Sequence, residues 1–293
     1  MRKEKWVRAE LKLVKPLLTK PAALGLNRQT QELAGKLIAG SDVVFEDVPM
    51  AGFEAGFARP PGADDKHAIL YLHGGGYTAG GIAHAKGFGS VIAERTGTAT
   101  FCPAYRLAPE YPYPAALDDA LAAYRYVLKA GYERIFFCGE SAGGGLSLAL
   151  CHRLHTLGLP QPVGLVAVSP WTDLTLSGES VLGNSAVDPS LSYEQLAFDA
   201  DCYAGGQDLR LPEISPLFGD LSHIPDTLIF AGSDELLLSD STRLHEALLA
   251  AGVHSELIAA EGMWHVYLMY DLAERQEDLP LAARFITERL YHG

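Results

Sequence analysis

Along most of this chain, short runs of apolar residues alternate with longer stretches in which apolar positions recur every three or four residues. From about residue 45 onward, runs rich in Val, Ile, Phe and Tyr predict strands at 43–48, 53–58, 67–72, 98–103, 134–138, 164–169, 226–231 and 255–259. Several are apolar on both faces, as strands covered on two sides must be. Helical spacing predicts helices at 84–96, 116–130, 143–157, 192–204, 241–252 and 273–290. Strand and helix in alternation imply an α/β fold, a mostly parallel sheet with helices on both faces. The first two strands follow each other closely, as an antiparallel edge pair would.

Two regions break this rhythm. Residues 1–42 read as helices, and 176–212 form a long interruption between two strands. Interruptions of that length inside a compact domain usually serve a site. The expected division is therefore an N-terminal helical cap segment at 1–42, and a core at 43–293 with a second cap or loop segment at about 176–212. Val7, Leu11, Val14 and Leu18 fall on one helical face among lysines and arginines. A membrane-surface helix is one reading of this stripe. A helix packed over the protein's own site is the preferred one.

Composition narrows the picture. Hydrophobic residues make up 48% of the 293 and charged residues 20%, enough to bury a sizeable core. Lys and Arg number 23 against 36 Asp and Glu, a formal charge of −13. Such a balance excludes a nucleic-acid partner and reads as solubility. No apolar run is long enough to span a bilayer, and the basic N-terminus lacks the unbroken apolar stretch of a signal peptide. Cys102, Cys138, Cys151 and Cys202 form no C-x-x-C pair and no zinc spacing, so no metal is expected. The expected location is a reducing cytoplasm, and a homodimer is compatible with these features.

The chemistry begins at Gly139-Glu140-Ser141-Ala142-Gly143, a G-x-S-x-G string. Composition alone would produce this pattern roughly 0.2 times in such a chain, so its context must decide. It follows the predicted strand 134–138 and opens a helix, the strand–turn–helix setting of a nucleophile elbow. Ser141 is the candidate nucleophile, with helix capping as its ordinary alternative. Gly178-Glu179-Ser180 repeats the tripeptide without a preceding strand and reads as loop.

His73-Gly74-Gly75-Gly76-Tyr77 follows the predicted strand 67–72 and is far rarer by chance, at roughly 0.01 occurrences. Three glycines in a row expose backbone N–H groups that can hold an oxyanion, and Ala142 after the nucleophile would supply another. The candidate donors are Gly74, Gly75, Gly76 and Ala142. A dinucleotide-binding reading of Gly74, Gly76 and Ala79 is weaker, because the following helix starts late and Glu94 lies on it rather than at a strand end.

The base and acid should follow the serine in the order acid, then histidine. Among the downstream histidines, only His265 lies in a loop just past a late strand, and it is the candidate base. Asp234 follows the strand 226–231 across Gly232-Ser233 and is the preferred acid, ahead of Asp240 and Asp173. Tyr77, Glu140, Trp171, Trp264 and Tyr267 adjoin these motifs and read either as pocket wall or as core.

Taken together, HGGGY at 73–77, YRLAPE at 105–110, YPYPAALDD at 111–119, GESAGG at 139–144, SPWTDLT at 169–175, GSDELLLSD at 232–240 and GMWHVY at 262–267 resemble the bacterial hormone-sensitive-lipase family of α/β-hydrolases. The resemblance implies an eight-stranded core, a helical cap and a carboxylesterase acting on short- to medium-chain acyl esters through a Ser-His-Asp triad and an acyl-enzyme. It implies no cofactor, and a small-molecule acyl ester as partner. Arg106 and Glu110 would brace the loop behind the site, and Ala104 stands where many members carry Asp. A lactone, amide or carbonate substrate, or a non-catalytic ligand receptor on this scaffold, stays open at this point.

Overall fold

The computed structural model describes residues 3–292, so Met1 and Arg2 of the expected cap segment, and Gly293, lie outside the described residues. Two helices come first, α1 (Lys3–Leu18) and α2 (Leu24–Ile38). Strands β1 (Val44–Pro49), β2 (Glu54–Arg59) and β3 (His67–Leu72) follow, then α3 (Ile82–Thr96), β4 (Ala99–Ala104), α4 (Ala115–Lys129) and β5 (Arg134–Glu140). After α5 (Ala142–Leu157) and β6 (Leu165–Val168) come α6 (Glu179–Gly183) and α7 (Tyr193–Ala204) in the long interruption. The chain ends with β7 (Thr227–Gly232), α8 (Leu238–Ala250), β8 (Ser255–Ala260) and α9 (Ala273–Tyr291).

All eight strands form one sheet in the order β1-β2-β4-β3-β5-β6-β7-β8. Only β2 runs antiparallel to its neighbours, pairing Phe57 with Glu46 on one side and Phe101 on the other. The strand expectations therefore hold, because two-sided burial leaves an apolar signature that helices do not share. The helix α6 had no counterpart in the spacing, being only five residues long.

The alternation of side chains along each strand splits the core in two. Leu70, Leu72, Phe137, Ala167 and Ile229 pack on the face covered by α4, α5 and α8. Ile69, Tyr71, Phe136, Val166 and Phe230 pack on the opposite face with Phe88 of α3 and Phe285 of α9. Each Val, Leu, Ile or Phe among them contributes about 1.5–3 kcal/mol when buried.

The N-terminal helices are anchored at named points. A Cβ on Gly35 of α2 would strike the Ala83 and His84 backbone of α3, so glycine permits the close crossing. Arg28 donates from Nε to Thr78 O at 2.7 Å and pairs with Glu110 through both terminal nitrogens, at 2.8 and 2.7 Å. Arg28 thus ties α2 both to the segment after β3 and, through Glu110, to the segment after β4, while Arg106 pairs separately with Asp119 at 2.8 Å. All four cysteines are free. No described helix is long and apolar enough to cross a membrane.

Candidate active site

Strand β5 ends at Glu140 and α5 begins at Ala142, leaving Ser141 alone to make the turn. Its backbone sits at φ 54° and ψ −124°, a region costly for any residue with a Cβ. Backbone hydrogen bonds hold it there: Ser141 N donates to Val168 O at 2.9 Å, and Ser141 O accepts from Trp171 N at 3.0 Å. A Cβ on Gly143 would collide with Leu72 O, so the elbow requires glycine at that position. The Ser141 side chain makes no capping bond to the helix. Its Oγ instead lies 2.8 Å from His265 Nε2.

His265 follows β8 and is buried, with its other nitrogen, Nδ1, 3.3 Å from Glu235 Oε2. Here the contacts differ from the expectation for the acid. Asp234 turns away and accepts from Arg8 Nη2 at 2.8 Å, its side chain 29% exposed. Arg8 reaches it from α1, 226 residues earlier in sequence, and also binds Gly262 O. Glu235 is fully buried, and burial pushes its carboxyl pKa up while the neighbouring His265 opposes that rise. Asp240 and Asp173 serve as scaffold. Asp240 accepts from Thr172 N and Asp173 N at 2.7 and 2.8 Å, and Asp173 pairs with Arg243 at 2.7 Å.

The glycine loop wraps against the elbow. Gly75 and Gly76 adopt φ of 103° and 63°, conformations that glycine supplies without strain. Their N–H groups and that of Ala142 have no acceptor among the described residues. Gly74 departs from expectation, because its N–H donates to Glu140 Oε1 at 2.6 Å and is thereby consumed. Glu140 also accepts from Tyr71 Oη and lies 3.0 Å from His84 Nε2. It is therefore a buried tie between elbow and glycine loop. His73 stacks on Tyr105 at 4.2 Å and faces Gly74 O through Nδ1 at 2.7 Å. Burial pushes its pKa down to about 3, so it is a neutral donor to that carbonyl.

A strained serine, an imidazole bridging it to a buried carboxylate, and free N–H groups beside it form an arrangement suited to acyl transfer. A family model described as alpha/beta hydrolase fold matches residues 69–269. An acetyl-hydrolase of Streptomyces hygroscopicus is 36% identical over 237 residues, 80% of this chain and 79% of that protein. An esterase of Acinetobacter venetianus is 36% identical over 75% of this chain and 74% of its own length. The crystal structure of an esterase from the bacterial hormone-sensitive lipase family superposes with a TM-score of 0.88 at 35% identity, covering 96% of this chain and 98% of that one. The chain belongs to the bacterial hormone-sensitive-lipase family of α/β-hydrolases.

As a member it is a carboxylesterase, with a cavity of about 420 Å³ opening at Ser141 and His265. Leu11 and Val14 of α1, Ala34 and Ile38 of α2, and Met269 and Tyr270 after His265 supply much of its apolar wall. Of the aromatic side chains named from sequence, none lines it. Tyr77 stacks on Tyr203 at 3.7 Å, and Trp171 lies 6.2 Å from Tyr77 with no exposed surface. Trp264 is buried beneath the Arg8 guanidinium, and Tyr267 Oη donates to Asp278 at 2.6 Å. Glu140 does reach the cavity. Adjacency to a motif does not tell which way a side chain faces, and these aromatics face the core. Glu235 and the wall residues on α2 and α7, not singled out from sequence, carry no local motif, whereas Leu11 and Val14 lie on the α1 stripe expected to pack over the site.

Proposed function

We propose that this hydrolase cleaves short- to medium-chain acyl esters through Ser141, His265 and Glu235. The observation that carries the reading is His265, set between Ser141 Oγ at 2.8 Å and Glu235 Oε2 at 3.3 Å. His265 Nε2 takes the Ser141 proton as Oγ attacks the ester carbonyl. The developing oxyanion is held by the N–H groups of Gly75, Gly76 and Ala142, each worth about 10²–10³ in rate when well placed. Glu235 fixes the imidazole tautomer and stabilises the imidazolium. The imidazolium protonates the leaving alcohol, and water, activated by the same base, releases the acid from the acyl-enzyme.

The chain-length reading rests on cavity size. A site of about 420 Å³, walled by α1 and α2, suits a short acyl chain better than a long one. A series of p-nitrophenyl esters from acetate to palmitate, run beside labelling with a phosphonate and mass spectrometry, tests both parts. Turnover from acetate to octanoate with little on palmitate, and label on Ser141, is expected. Label on another residue would remove the mechanism, and a palmitate preference would remove the chain-length reading.

A further inference from the structure

One carboxyl group in the pocket has no part in the mechanism above. Asp199 on α7 is buried and lines the cavity beside the glycine loop. Its Oδ1 accepts from Thr78 Oγ1 at 2.6 Å and from Gln195 Nε2 at 2.8 Å. Its Oδ2 has no donor among the described residues and abuts Gly76, where a Cβ would run into it. Gln195, one turn earlier and also lining the cavity, leaves Oε1 buried and without a partner. One unmet acceptor thus abuts Gly76 of the glycine loop, and a second, on Gln195, lies one turn of α7 away. Buried acceptors left without donors are costly, so a bound group that donates to them is favoured.

We propose that Asp199 and Gln195 form a polar subsite for a hydroxyl group on the acyl chain, so that the preferred substrates are 3-hydroxyacyl esters. The inference rests on the ester-hydrolase reading of Ser141 and His265. The leaving oxygen must face His265 Nε2 to be protonated, which leaves the acyl part to lie along Gly76 and α7. Because Asp199 Oδ2 abuts Gly76, we place a hydroxyl two carbons from the carbonyl beside it. An ammonium group fits less well, because it would have to shed its hydration in a cavity with largely apolar walls.

Burial holds the Asp199 pKa up at about 7, opposed by the hydrogen bonds from Thr78 and Gln195. Cys202 lies on the same helix, and the tyrosines behind Gly76, Tyr77 and Tyr203, are pushed far up by burial and stay neutral. Lys15, His84, Glu140 and His265 line the rest of the cavity. A carboxylate accepts a hydroxyl proton more strongly than a carboxylic acid does. Selectivity for the hydroxyl should therefore rise with pH through about 7.

The test competes equimolar methyl butyrate and methyl 3-hydroxybutyrate in one reaction between about pH 5.5 and 8.5, bracketing the Asp199 pKa. The ratio of the acids formed gives the ratio of kcat/KM, and pH effects on the shared catalytic steps cancel because both esters use them. The wild type should favour the hydroxy ester about tenfold at the alkaline end, the effect of one charge-assisted hydrogen bond, and less at the acid end. Asp199→Asn, which replaces an acceptor by a donor, should bring the ratio near one at every pH. Gln195→Leu should lower it several-fold while keeping its pH dependence. A wild-type ratio of one or below, a ratio unchanged in Asp199→Asn, or a stronger preference for methyl 3-aminobutyrate overturns the subsite. Turnover of butyrate without hydroxyl preference would sink this inference alone. Loss of turnover on both esters, with Ser141 unlabelled by phosphonate, would sink the ester-hydrolase mechanism as well.

Discussion

Glu235 Oε2 lies 3.3 Å from His265 Nδ1, while its chain neighbour Asp234 is taken by Arg8 at 2.8 Å. Two adjacent carboxylates therefore have different surroundings, one buried against the imidazole and one at the edge of the N-terminal helix. Only a group on Nδ1 can set the tautomer that leaves Nε2 free to accept a proton.

The contrast predicts opposite outcomes for two conservative changes. Glu235→Gln should lower kcat on p-nitrophenyl butyrate by about 10²–10⁴, with a smaller change in KM. Asp234→Asn should keep kcat within a few-fold. If the two variants exchange these effects, Asp234 is the acid and Glu235 a packing residue.

Arg8 gives a second prediction. It joins Asp234, Gly262 O and Val187 O, and its guanidinium lies 5.2 Å from the Trp264 ring centre. Truncation to Ala removes the fastener of α1, whose Leu11 and Val14 wall the cavity. The pair is partly exposed to solvent, so the loss in global stability should be only about 1 kcal/mol. The effect should appear in the site instead, as a several-fold rise in KM for short esters and a shift of preference toward longer ones. An unchanged chain-length profile in Arg8→Ala would show that α1 does not shape the cavity.

The sheet was legible in the sequence because burial on both faces forces uninterrupted apolar runs. Ser141 and the glycine loop were legible because the backbone there needs glycine, and glycine in a fixed pattern is rare. Glu235 was not legible. Asp and Glu at 234 and 235 are chemically alike, and the choice depends on Arg8, which sequence separation hides. Gly74 read as an oxyanion donor for a similar reason, since nothing local reveals that Glu140 takes its N–H. Trp171 and Trp264 stood beside motif residues but turned inward, where large apolar area is best buried. The apolar spacing on α1 pointed to Leu11 and Val14, whereas the wall on α2 and α7 follows from how helices dock, which spacing alone does not encode.

Glu140 supplies the third prediction. Its carboxylate receives Gly74 N and Tyr71 Oη and faces His84 Nε2, tying the glycine loop to the elbow. Glu140→Leu would leave those buried groups unmet, at about 1–3 kcal/mol each. Melting temperature should fall, and kcat should fall about tenfold or more as Gly75 and Gly76 lose their placement. Tyr71→Phe removes one donor only and should show a milder form of both effects. A normal kcat in folded Glu140→Leu would mean that the loop holds its shape without this tie.

The last prediction concerns stability and pH, at a residue away from the reacting atoms. Asp240 is fully buried, and burial raises its pKa to about 7 against the opposing backbone bonds from Thr172 and Asp173. Below about pH 4 the carboxyl is protonated in both folded and unfolded chains. As pH rises toward 7 the unfolded chain releases that proton while the folded one retains it, so stability is progressively lost. Asp240→Asn imitates the protonated form, with its oxygen able to accept from Thr172 and Asp173 at every pH. The melting temperature of the variant should therefore rise relative to wild type between about pH 4 and 7, and level off above that range. Calorimetry of both proteins across that range gives the difference directly, and other titrating groups largely cancel in it. A difference that stays constant with pH would show that Asp240 ionises at its ordinary value despite its burial.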